Sequence, residues 1–131
     1  MRAPKKLTSI PESDRVEGAP HPRETLTLCG HDAAEQTLLD AYRSGRMPQA
    51  VILGGPEGVG KATLAWRLAR FIVANPDPAS AAVAAANDLS VPGNNPATLR
   101  IAALGQPDLA LLRRGWNERS KRPFKIGRAH V

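Results

Sequence analysis

Seven consecutive residues, Gly55-Pro56-Glu57-Gly58-Val59-Gly60-Lys61, carry the densest chemistry in the chain. They fit the first seven positions of G-x-x-x-x-G-K-[ST], a spacing suited to holding phosphate. Glycines let the backbone curl tightly and bring successive N–H groups close to phosphate oxygens, where a side chain would obstruct them. A helix beginning near Gly60 would aim its positive dipole end at the same anion. Lys61 adds a point charge for the outer phosphates. The eighth position breaks the pattern: it is Ala62, where a hydroxyl should coordinate Mg²⁺. Thr63 follows, but one residue along a helix is a rotation of about 100°, so its hydroxyl does not replace the lost ligand and is expected to face an inner phosphate. The candidate binding residues are therefore Gly55, Pro56, Glu57, Gly58, Val59, Gly60, Lys61, Ala62 and Thr63, in a loop built to hold a nucleotide more than to split one. Two blander readings stand beside this one: a Gly-rich turn with no ligand, and a degenerate loop that only supports the fold.

Splitting a nucleotide would also need an acidic residue at the end of a neighbouring strand, to hold the metal. Leu109-Ala110-Leu111-Leu112 is the nearest candidate strand, and it ends in Arg113 and Arg114. Asp108 precedes it and would lie at its opposite end. No catalytic residue is assigned on this basis. His21, His31 and His130 have no ligand-like spacing with Cys29, so they read as surface or capping residues, and Cys29 reads as a small buried hydrophobe. Trp66 is expected to pack against a neighbour, and Trp116 to anchor a loop.

The elements around the loop follow from periodicity. Asp32 with Glu35 three residues later resembles a capping box, and Ala34, Leu38, Ala41 and Tyr42 share one face before Gly45, which suits a C-terminal cap. A helix over 33–44 is predicted. Ala50-Val51-Ile52-Leu53, apolar on both faces, reads as a buried parallel strand stopped by Gly54. From Lys61 the period is helical again, with Leu64, Leu68, Phe71 and Ile72 on one stripe and Arg67 and Arg70 pointing away. Residues 79–86 allow one short Ala-rich helix. Helix, strand, glycine loop and helix in that order predict an α/β three-layer fold with a parallel sheet, incomplete at the C-terminus and marginally stable alone.

Length and composition bound the rest. At 131 residues and 42% apolar, the chain suits one small domain with a core. No apolar run reaches the ~18 residues of a membrane span, so no membrane partner is expected. A single cysteine excludes an internal disulfide framework and a cysteine zinc cluster, and it points to a reducing compartment, the cytoplasm. The net charge of +6 is confined to the end of the chain. Residues 1–112 carry eleven basic and eleven acidic side chains, whereas 113–131 carry seven basic residues against Glu118 alone. That stretch reads as a solvated charged loop ahead of a phosphate-backbone contact, with no zinc finger or paired RNA-binding aromatics beside it. Residues 1–20, rich in Pro, Lys, Glu and Asp, read as a flexible arm, and 21–125 as the N-terminal part of the domain. The last six residues, Ile126 to Val131, match one reading frame of a common sequencing adapter and are expected to be a non-native tail.

The runs Gly30-His31-Asp32-Ala33-Ala34-Glu35, Ser44-Gly45-Arg46-Met47-Pro48-Gln49-Ala50 and Ile52 to Ala65 resemble bacterial clamp-loader subunits of the AAA+ P-loop group. Within that group the chain is most similar to the delta-prime family of DNA polymerase III, including a lead-in like His21-Pro22-Arg23-Glu24-Thr25-Leu26. Gly105-Gln106-Pro107-Asp108-Leu109 matches a segment in which the family usually has His at the position of Gln106. The likeness covers about residues 21–117. It implies a stator-like subunit in DNA replication that does not hydrolyse ATP. Its implied partners are the gamma/tau ATPases and delta, with the sliding clamp and primed DNA reached through the complex. ATP is the implied cofactor of the loop. Two departures stand out. Residues 75–104 lack the cysteines of the zinc module found in many relatives, so no zinc is expected, and nothing matches the family's neighbour-directed arginine motif. An ATP-hydrolysing P-loop subunit, such as the sister clamp-loader ATPase, is the alternative; Ala62 separates the two. A nucleic-acid-binding module acting through the basic stretch is a third reading.

Overall fold

The computed structural model describes residues 12–117 and 119–123. The first half of the expected arm, Glu118, Lys125 and the proposed non-native tail lie outside the described residues. Two compact units divide the chain: one combines the ends, with residues 12–21, 110–117 and 119–123 described, and the other is Pro22–Leu109.

In the Pro22–Leu109 unit a short 3-10 turn, Pro22–Glu24, precedes four helices: α1 (Asp32–Arg43), α2 (Lys61–Ala74), α3 (Ala81–Ala85) and α4 (Pro96–Ala102). Leu38, Leu39 and Tyr42 of α1 bury against Leu64 and Phe71 of α2, and Val83, Leu89 and Val91 complete the core. The Tyr42 and Phe71 rings meet edge to face, with centroids 6.0 Å apart, a geometry that aligns ring edge with ring face quadrupole. Gly45, at φ +71°, stands just past Ser44, the C-terminal cap of α1, and donates its N–H to the Tyr42 carbonyl at 3.1 Å, the predicted glycine stop. α3 is the short alanine helix expected over 79–86, and it is capped by the Ser80 hydroxyl. Sequence reading missed α4. Its signal is Asn95-Pro96: the Asn95 side chain accepts from the Ala97 N–H at 2.9 Å, and Pro96 needs no intrahelical acceptor at the first position.

The expected α/β three-layer fold with a parallel sheet is overturned. Among the described residues the only strands are β1 (Trp116–Asn117) and β2 (Arg122–Pro123), two residues each and antiparallel. A strand exists by pairing, and residues 50–53 and 109–112 have no ladder partner among the described residues, so both tracts are irregular. Ile52, expected in a buried strand, is 94% exposed, as is Leu112 at the end of the second tract. Leu53 alone of the first tract packs against the core.

The polar face of α2 is a second correction. Arg67 and Arg70 do not point away; both are buried. Arg67 Nε donates to Glu35 Oε1 at 2.7 Å and Nη1 to the Leu26 carbonyl at 2.7 Å, while Arg70 Nη2 donates to the Arg23 carbonyl at 2.8 Å. Both guanidinium groups are thus out of water, Arg67 held by acceptors from α1 and the 22–28 segment and Arg70 by one from the 22–28 segment. Glu35 is therefore not half of a capping box. Its Oε1 also accepts the Leu89 N–H at 2.8 Å, so one carboxylate ties α1, α2 and the chain at 89 together. Trp66 is buried, in keeping with a packing role.

In the other unit Asp14 takes a hydrogen bond from the His21 ring at 2.9 Å and from Arg113 Nη1 at 3.2 Å. His21 is fully buried rather than a surface histidine. Among the described residues no helix is long and apolar enough to cross a membrane.

Candidate functional site

The 55–61 loop joins an exposed apolar tract to the start of α2. Gly55, Gly58 and Gly60 adopt φ of +154°, +78° and +106°, so the chain turns through conformations that a side chain resists. Gly60 is the N-terminal flanking residue of α2; its carbonyl accepts the Leu64 N–H at 3.0 Å, and no side chain caps the helix. The amides of Lys61, Ala62 and Thr63 therefore have no intrahelical acceptor, the arrangement that favours an anion at a helix start.

Lys61 is the first residue of α2 and its side chain folds back over the loop. The ammonium donates to the Gly55 carbonyl and to the Pro56 carbonyl, the latter at 3.1 Å. The pattern's two ends are thus closed into one ring by the residue meant to meet phosphate. Glu57, Val59 and Ala62 are exposed, and Thr63 is half-buried one position on. The structure brings Gly55 to Lys61 together as a single curled turn and places a methyl group, not a hydroxyl, after the lysine. A cavity of about 240 Å³ adjoins it, bounded by His31, Leu53, Gly54, Gly60, Lys61 and Leu64. Larger cavities, of about 650 Å³ along Leu68 and Ile72 and about 410 Å³ near Asn75 and Asp88, include none of the loop residues.

One residue at the site escaped sequence reading. His31, half-buried, directs Nε2 to the Val59 carbonyl inside the loop. Nothing in its spacing marks it, since the partner lies 28 residues away. Cys29, expected inside, is exposed.

Elsewhere, ligand atoms of Glu12, Asp14 and His21 lie within 4.8 Å of one another. Arg113 already pairs with both carboxylates, at 3.6 Å and 3.2 Å, so their charge is met from within the chain. Burial alone would raise the Asp14 carboxyl pKa, but its hydrogen bonds, led by that from His21, hold it below the ordinary aspartate value.

No family model, curated protein or solved structure matches the chain.

Proposed function

We propose that this chain holds the phosphates of a nucleotide on the 55–61 loop without splitting them, as a stator-like subunit of a DNA polymerase III clamp loader. The observation that carries the nucleotide reading is the Lys61 ammonium folded onto the Gly55 and Pro56 carbonyls, with free helix-start amides beside it. An arriving phosphate offers that ammonium a stronger, charged acceptor than two neutral carbonyls. Ala62 supports the passive half of the reading, because it leaves Mg²⁺ without its usual hydroxyl ligand. The clamp-loader assignment rests on the sequence resemblance. On this reading ATP or ADP is the ligand, the setting is cytoplasmic, and the partners are the gamma/tau ATPases and delta, acting on the sliding clamp at primed DNA.

The chemistry follows from the residues present. Loop amides and Lys61 bind and orient the phosphates. The test is calorimetric titration of the intact protein with ADP and ATP, beside a turnover assay with magnesium. Binding weakened about tenfold or more by Lys61→Ala, with no turnover above background, is the expected result. Restoring the hydroxyl with Ala62→Ser is expected to leave turnover at background. Magnesium-dependent hydrolysis by the protein alone would overturn the stator reading and favour the sister ATPase. Absence of binding to the gamma/tau and delta subunits in a reconstitution would remove the clamp-loader assignment.

A further inference from the structure

His31 stands immediately before α1, where Ser, Thr, Asp or Asn commonly accepts a hydrogen bond from the first turn of the helix. Its ring makes no such bond. The imidazole is turned outward to the nucleotide loop, with Nε2 on the Val59 carbonyl. A carbonyl oxygen can only accept, so the hydrogen lies on Nε2. A second contact points to the same place. A Cβ built on Gly60 would lie 3.4 Å from His31 Nε2 and 3.4 Å from Leu28 Cδ1, so these two side chains close over the last bend of the loop. α1 is itself fixed to α2 through the buried Glu35–Arg67 pair, which makes it a firm platform.

The peptide between Val59 and Gly60 is planar and trans, so its C=O and N–H point in opposite directions. Resting on the nucleotide-holding reading of the loop, we propose that His31 is a positioning residue for the phosphate cradle. By gripping the Val59 carbonyl, it aims the Gly60 N–H away from α1 and holds it ready as a phosphate donor. Gly60 alone would not keep that orientation, because glycine is the residue most free to flip its peptide. His31 thus substitutes for local stiffness that the loop's glycines cannot supply, and an anion meets a donor whose direction is already set.

Two variants and two readouts test this on the intact protein. His31→Ala removes the grip, and His31→Gln restores an N–H donor of similar reach. In titrations with ADP and no magnesium, His31→Ala is expected to weaken binding about five- to tenfold and His31→Gln to recover most of it. Without ligand, nitrogen NMR at pH 8 should find the hydrogen on Nε2. The order parameter of the Gly60 N–H should fall from about 0.85 in the parent to below about 0.6 in His31→Ala, and return in His31→Gln. A hydrogen on Nδ1 with Nε2 bare, or a Gly60 N–H equally rigid in all three proteins, overturns the proposal. So does ADP binding by His31→Ala equal to the parent while Lys61→Ala loses it. If the parent binds no ADP, the nucleotide reading fails by itself, and the ligand-free spectra decide whether His31 orients the peptide.

Discussion

Glu35 is the side chain that ties α1, α2 and the chain at Leu89 together. It is 5% exposed and its Oε1 serves both Arg67 Nε and the Leu89 amide. Removing one partner of a buried ion pair strands the other charge in a low-dielectric setting, at a cost of about 3–5 kcal/mol. Glu35→Ala is therefore expected to lower unfolding free energy by about 3 kcal/mol, the lower end, because Arg67 keeps the Leu26 carbonyl. Urea denaturation reads this directly. The double variant Glu35→Leu with Arg67→Met should lose less than the two single losses combined, since no charge is left stranded. Arg70 shows the same economy of acceptors: burial and then the nearby Arg67 charge pull its pKa below the usual arginine range, and its Nε has no partner among the described residues. These buried arginines were invisible in the sequence. A guanidinium every third residue on a helix reads as a wet face, and only the fold reveals that the 22–28 segment covers it.

At the scale of elements, what could be read was what is encoded locally. Gly45 ends α1, and the glycine loop hands over to α2 at Lys61, because a positive φ and a helix start are decided within a few residues. The curl of the 55–61 turn was legible for the same reason, and the contact from His31 was not, its partner being remote in sequence. The strands were not, because an apolar tetrapeptide is equally consistent with a paired strand and with the exposed tract seen at 50–53; pairing is a property of two segments. α4 was legible in principle from Asn95-Pro96 but carries too few large apolar residues to show a stripe. Asn95→Ala is expected to cost about 1 kcal/mol and to raise amide exchange in the first turn of α4. Gly60→Ala should cost about 1–3 kcal/mol, from a side chain forced into φ +106°, measured as a lowered melting temperature.

Over the whole molecule, acid sensitivity is set by carboxylates stabilised in the native state. Hydrogen bonds from the Ser90 hydroxyl and amide hold the Asp88 carboxyl below its ordinary value, and Asp14 is also lowered. Depressed native values mean that both groups favour folding fully above the unfolded carboxylate pKa of about 4. That contribution fades as pH falls through the lower native values. Stability measured by denaturation should stay level in this respect from pH 7 to about 5 and then decline. Asp88→Asn should flatten part of the decline. The exposure of Cys29 has a practical corollary. It is the chain's one thiol, and its neighbour Leu28 reaches the bend at Gly60. A maleimide fluorophore would therefore attach at a single point beside the cradle with no engineering, and its emission could report nucleotide occupancy in real time, even within an assembled complex.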